Sequence, residues 1–278
     1  MLVLIWSAGV WVWLIPDVQA KFNFHPSGNF FWLGECAPGL FAIILTVIIG
    51  GKKGLVNLLK PALLWRVNPV YYFIVFIGLA CFYLAAIGLS TLLGAHPPTF
   101  LSLYHQITAP IFNLPAIWLI PELSIVYLFC EELGWRGFAL FKLLTKYSAF
   151  NASIIIGIIW ALFHIPLIFI SNSSKITLIY IFAYIFSTVL SSFLFTWIYL
   201  KTDRSLLMVG LLHGLIDTYG TFSPTIISEI GQGKNDITIV LYFIVLLPVI
   251  VAVYQCHSEP RPYPRHSRRT IMSKGCNL

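Results

Sequence analysis

The chain has 278 residues, of which 59% are hydrophobic and 16% aromatic, only 10% are Asp, Glu, Lys or Arg, and the mean hydropathy is +0.87. That balance excludes a soluble globular domain and indicates an all-α, polytopic membrane protein. The net charge of +7 sits between apolar runs, so no nucleic-acid partner is needed to explain it.

A spanning helix takes about 20 mostly apolar residues. Runs of this kind are Leu2–Pro16, Phe31–Gly50, Val70–Gly94, Ile107–Cys130, Ser153–Ile170, Ile176–Leu200, Leu206–Phe222 and Ile237–Tyr254. They predict eight spans, the first and seventh being short. Breakers at Ala37-Pro38-Gly39, Pro115 and Pro121 mark the second and fourth as irregular. Val18-Gln19-Ala20 carries the small residues of a signal-peptidase site. No Lys or Arg precedes the first run, however, and Pro16-Asp17 suits a turn, so an uncleaved first span is expected; cleavage would leave seven spans in the same orientation. In an alternating eight-span arrangement, 14 of the 17 basic residues fall on one side. They are Lys52, Lys53, Lys60, Arg66, Arg136, Lys142, Lys146, Lys201, Arg204, Arg261, Arg265, Arg268, Arg269 and Lys274. The positive-inside rule then places both termini in the cytoplasm of a multi-pass cell-membrane protein.

Three blocks follow: accessory spans and a basic segment over 1–120, a core over 121–222, and a last span with a basic tail over 223–278. In the first block, Gly51–Pro69 alternates Lys52, Lys53, Lys60 and Arg66 with Leu55, Val56, Leu58, Leu59, Leu63 and Leu64, an interfacial pattern. His25 and Glu35 stand alone on the outer side and read as solvated. The cysteines at 36, 81, 130, 256 and 276 have no regular spacing and suggest neither a disulfide framework nor a thiolate metal site.

The core opens on Glu131-Glu132-Leu133-Gly134-Trp135-Arg136, behind the apolar stretch Leu123–Cys130. A helix running through the pair to about Lys146 fits these residues, and Asn151 or Ser153 suits the cap of the next. A charged side chain inside a bilayer costs at least about 2.5–3.5 kcal/mol, so adjacent carboxylates there need partners or a task. Span five carries Trp160 to His164 and span seven His213 to Asp217, both four residues apart like Glu132 and Arg136, and residues at that spacing share a helix face. At ~1.5 Å per residue, Glu131 lies ~22 Å from Lys146, His164 ~20 Å from Asn151 and His213 ~14 Å from Arg204, so the three faces reach comparable depth. Ser187, Thr188, Ser191, Ser192 and Thr196 on span six read as helix packing.

Carboxylates with imidazoles supply a general base, a general acid and groups that hold a water. No Ser or Cys sits beside the histidines as a nucleophile, so an activated water is the expected attacker. The same residues suit a divalent metal, although H-E-x-x-H is absent. A packing histidine and an interfacial Glu–Arg staple are the bland readings of each element taken singly. Four groups at one depth on three helices are less easily set aside.

Taken in order, Glu131-Glu132-x-x-x-Arg136, Trp160-x-x-x-His164 and His213-x-x-x-Asp217 resemble the CAAX-protease and bacteriocin-processing (Abi) family of intramembrane proteases, which includes the type II CAAX prenyl endopeptidases. The resemblance covers Pro121 to Phe222. It implies a conical catalytic cavity formed by spans four to seven, with Glu131 and His164 activating the water. It also implies that Glu132 and Arg136 shape the cavity, with Trp160 in support. His213 with Asp217 would stabilise the oxyanion or protonate the leaving amine. Trp160 stands where the family usually has Phe, and Asp217 where it often has Asn; an ionised Asp cannot donate to an oxyanion as Asn does. A mechanism that requires no cofactor is favoured; a metal such as zinc would fall to Glu131, His164 and His213. The implied substrate is a peptide or lipidated protein, of CAAX-type prenylated or bacteriocin type. A non-catalytic scaffold or immunity protein on the same fold would tolerate alanine at Glu131 and His164. A proton-coupled transporter would show gradient-dependent transport and no cleavage, and the lack of an internal repeat counts against it.

Overall fold

Helices account for the regular structure throughout the described residues, with no strand among them. The computed structural model describes residues 34–92, 119–172, 178–222 and 247–255. Outside these lie the first predicted span, the signal-like tripeptide, His25, most of the last span and the basic tail.

The second predicted span forms α1, Ala37–Leu59, opened by Pro38 in its first turn, where the missing N–H of proline costs nothing. Gly51 at φ +55° and ψ −153° breaks it, a conformation open to glycine for want of a Cβ. The basic, leucine-rich segment after the break closes with a 3₁₀ turn, Lys60–Leu63. In α2, Pro69–Phe73 and Leu79–Leu92 flank a π turn, Ile74–Gly78. The Asn68 side chain accepts from the Val70 N–H (3.0 Å) at its start.

The expected helix through the acidic pair is present as α3, in which Leu119–Tyr127 leads into Leu128–Leu140 and Phe141–Leu143. Its central part is π-helical rather than the plain α-helix that the apolar spacing predicts. Wider turns of this kind gather at functional sites, and here they carry both glutamates. Then follow α4 (Ala149–Asn172), α5 (Leu178–Lys201) and α6 (Leu206–Phe222). The last coincides with the predicted seventh span. The cap of α4 is neither Asn151 nor Ser153: the Ser148 hydroxyl accepts from the Asn151 N–H at 3.3 Å, while Ser153 donates to the Ala149 carbonyl inside the helix. The reason is that a capping side chain must precede the first turn, and Ala149 already begins it. At α6, Ser205 caps the Met208 N–H and donates to the Leu64 carbonyl at 2.6 Å, tying the helix start to the segment after α1.

Helix α3 is the hub, packed against α1 on one side and α6 on the other. Glycines set how closely these helices cross. A Cβ on Gly134 would stand 2.5 Å from the Pro38 carbonyl carbon, and one on Gly214 would stand 2.5 Å from the Ser124 nitrogen. Cys36 of the chain before α1 and Cys130 of α3, 94 residues apart, are joined by a disulfide. Spacing alone gave no hint of this pair, because only the α1–α3 packing brings the two together.

The distribution of polarity is inverted relative to a soluble protein. Ile48 is 74% exposed, Ile49 71% and Phe182 69%, while Glu131, Glu132 and Arg136 are fully buried. An apolar exterior around an ionic interior is what a lipid surround favours. Two helical segments, Ala37–Leu63 and Ile181–Lys201, are long and apolar enough to cross a membrane; shorter apolar helices are Pro69–Ala85, Ala149–Ile165 and Leu206–Thr218.

Candidate active site

The site forms where α3, α4 and α6 meet, and the groups singled out from the sequence converge there. From α3, Glu132 Oε1 accepts from Arg136 Nη1 at 2.6 Å and lies 2.7 Å from His213 Nδ1. A carboxylate oxygen only accepts when ionised, so Nδ1–H of His213 is the donor. One buried oxygen therefore joins α3 to α6. The Arg136 guanidinium is sandwiched over Trp160 (4.4 Å) and Phe195 (4.1 Å). Cation–π contact offsets part of what its unpaired Nε and Nη2 lose on burial. The His213 ring stacks on Tyr127 at 4.4 Å, which fixes its plane.

Glu131 is held differently. Its Oε2 accepts from Trp135 Nε1 at 3.1 Å and from Trp160 Nε1 at 2.9 Å. Its Oε1 is buried without a hydrogen-bond partner and faces His164 Nε2 at 3.7 Å. His164 Nδ1 lies 3.0 Å from the Trp160 carbonyl. The carbonyl can only accept, so Nδ1 carries the hydrogen and Nε2 is the atom turned to the carboxylate. Asp217 lies at the rim: Oδ2 is 3.8 Å from His213 Nε2, and its side chain is 35% exposed.

Two sequence readings change here. Trp160 is no conservative stand-in for Phe, because its indole N–H orients Glu131, which a phenyl ring cannot do. Trp160→Phe is expected to release one of the two donors on Oε2 and to lower catalytic turnover more than it lowers the melting temperature. Equal losses in both would reduce Trp160 to packing. Glu35 is not a solvated singleton: it is 5% exposed, and its Oε2 is 3.8 Å from His164 Nε2. The signal was available, since an ionisable residue beside an apolar run defaults to function, but nothing local tied it to residues near 131 or 164. The site therefore draws on the chain at the second span as well as on spans four to seven. For a metal, the described ligand atoms within 4.8 Å of one another are those of Glu35, Glu131 and His164. His213, named with Glu131 and His164 from sequence, has its Nδ1 engaged by Glu132 instead.

Carboxylates, imidazoles and a guanidinium enclosed by apolar helices define a helical membrane protein with an internal ionisable site, a setting in which a water can be activated away from bulk solvent. Residues 113–219 match the family model for type II CAAX prenyl endopeptidases, Rce1-like. This segment, which holds all three motifs, is similar to the type II CAAX prenyl endopeptidases. A stretch of 92 residues is 39% identical to the CAAX prenyl protease 2 of Methanococcus maripaludis, covering 31% of this chain and 34% of that protein. The chain thus spans about a third of the length of the curated relative it matches.

Proposed function

We propose that the protein is an intramembrane endopeptidase that hydrolyses a peptide bond with a water activated by Glu131 and His164. The observation that carries this reading is the pair of free atoms facing each other, Glu131 Oε1 and His164 Nε2, 3.7 Å apart. That gap exceeds a hydrogen bond and suits two groups sharing one water. Glu131 takes the water proton as the oxygen attacks the scissile carbonyl carbon. Charge then develops on the carbonyl oxygen, and the C–N bond breaks as the amine receives a proton. His213, fixed at Nδ1 by Glu132 and in plane by Tyr127, presents a protonated Nε2 to the oxyanion or the leaving amine. Arg136 supports this by holding Glu132 in place. Asp217 faces His213 Nε2 across 3.8 Å at the rim and, being a carboxylate, is assigned no donor role to the oxyanion.

By the matched family and the name of its relative, the substrate is a peptide or lipidated protein of the prenylated CAAX type, with bacteriocin-type leaders as the second class. The chain is assigned to the cell membrane as a multi-pass protein with cytoplasmic termini and a site open to that side. Purified protein incubated with a prenylated CAAX peptide and a leader peptide should cleave one of them, and His164→Ala should reduce the rate by about 10²-fold or more. Cleavage unaffected by His164→Ala would overturn the assignment, and cleavage of neither peptide would favour a scaffold.

A further inference from the structure

Cations from three separate segments of the chain collect at one end of the helix bundle. Lys60 and Arg66 lie between α1 and α2, Lys142 and Lys146 around the end of α3, and Lys201 and Arg204 around the end of α5. Packing joins these segments. The Ser205 hydroxyl donates to the Leu64 carbonyl at 2.6 Å, which draws the α5–α6 turn against the stretch carrying Lys60 and Arg66. The Arg204 guanidinium lies 5.3 Å over the ring of Phe141, the residue before Lys142. One turn earlier in α3, a Cβ on Gly137 would stand 3.0 Å from Leu206 of α6 and 3.3 Å from Leu58 of α1, so the same three elements touch. Asp203 and Arg204 both turn through the left-handed region, at φ 52° and 68°. That conformation is costly for a residue with a Cβ and gathers at functional positions.

Charge on this face is one-sided. Across 60–66, 141–147 and 201–205 the only carboxylate is that of Asp203. Lys60, Arg66, Lys142 and Lys146 are exposed, and they form no ion pair among the described residues. Gathered like charges repel one another, and an anion from outside the chain relieves that repulsion. The apolar neighbours decide which anion fits. Leu63 is 80% exposed, Trp65 60% and Tyr147 45%, interleaved with these cations. Arg66 lies 4.9 Å over the Trp65 ring, and the Tyr72 hydroxyl donates to the Trp65 carbonyl at 2.7 Å. A soluble acidic partner would match the charges but not the exposed leucine and indole. A phospholipid meets both, with its phosphate on the cations and its acyl boundary on the aromatic and leucine side chains.

We propose that Lys60, Arg66, Lys142, Lys146, Lys201 and Arg204 form a binding face for the headgroup of an anionic phospholipid, preferred over a zwitterionic one. The interfacial pattern of the sequence concerns Gly51–Pro69 alone; the face adds two segments that only the fold brings to it. The inference does not rest on the peptidase reading. Full-length protein in neutral detergent micelles is titrated with tail-labelled fluorescent phosphatidylglycerol, and separately with phosphatidylcholine carrying the same label. Saturable binding of phosphatidylglycerol is expected, at least about tenfold tighter than phosphatidylcholine. Each cation at an anionic surface strengthens association about fivefold, so Lys60→Gln with Arg66→Gln should weaken binding by about 10–30-fold. Lys142→Gln with Lys146→Gln, in a different segment, should do the same. Asp203→Asn keeps a residue at home in the left-handed region and should tighten binding. Salt raised from about 0.1 to about 1 M should weaken it, because screening shortens from roughly 10 to 3 Å. Unchanged melting temperatures verify that the variants fold, and the Asp203→Asn and salt arms test the face without removing a cation. Equal affinity for the two lipids, binding that both double variants leave intact, or displacement by inorganic phosphate or polyglutamate overturns the proposal.

Discussion

Glu131→Gln is expected to lower kcat/KM for a cleaved peptide by about 10²–10⁴-fold, the usual contribution of a general base, with the melting temperature unchanged. The substitution is nearly isosteric. The amide oxygen of Gln can still accept from Trp135 and Trp160, the two donors on Oε2 of the native carboxylate. The amide nitrogen then occupies the place of Oε1 and donates towards His164 Nε2. Packing and orientation survive, and only the proton acceptor is lost. Peptide cleavage assayed beside thermal unfolding in detergent separates the two effects. Full activity in the folded variant would remove Glu131 from the chemistry and, with it, the reaction proposed above.

Arg136→Ala should act on stability instead, costing about 3–5 kcal/mol, because it strands a buried carboxylate. Arg136 and Glu132 are both fully buried and 2.6 Å apart; without the guanidinium, Glu132 keeps only His213 as a partner. The aromatic sandwich of Trp160 and Phe195 would also close on an empty space. Arg136→Lys retains the charge but not the flat stacking surface, so an intermediate loss is expected. Thermal unfolding of the three proteins should rank wild type, then Lys, then Ala. An Ala variant as stable as wild type would mean that Glu132 is neutral in the fold, leaving no ion pair to break.

Part of this arrangement was legible in the linear chain. The i, i+4 pairs Glu132–Arg136, Trp160–His164 and His213–Asp217 announce themselves because charge is rare here and helical periodicity puts each pair on one face. The run Leu206–Phe222 coincides with α6 because an apolar stretch bounded by Ser205 and a polar turn has few other solutions. Composition likewise determined the helical membrane class: too few polar residues are present to cover a water-soluble surface.

Other features depended on contacts between distant segments. Trp160 looked like an aromatic substitute until packing aimed its N–H at Glu131, 29 residues away. The disulfide between Cys36 and Cys130 and the burial of Glu35 share one cause, the crossing of the chain at α1 over α3, and no local pattern encodes that crossing. The π turns of α3 over Leu128–Leu140 escape a reading based on 3.6-residue periodicity, since that reading assumes the α-helical repeat from which they depart. By itself, the sequence determined the helical class, the three polar helix faces and the residues that would have to meet. The tertiary structure decided which atoms of those residues stay free, because a carboxylate or imidazole has two faces and only its packed neighbours choose between them. Glu131 Oε1 and His164 Nε2 are the atoms left over by that choice, and Glu35 is the third group brought to them.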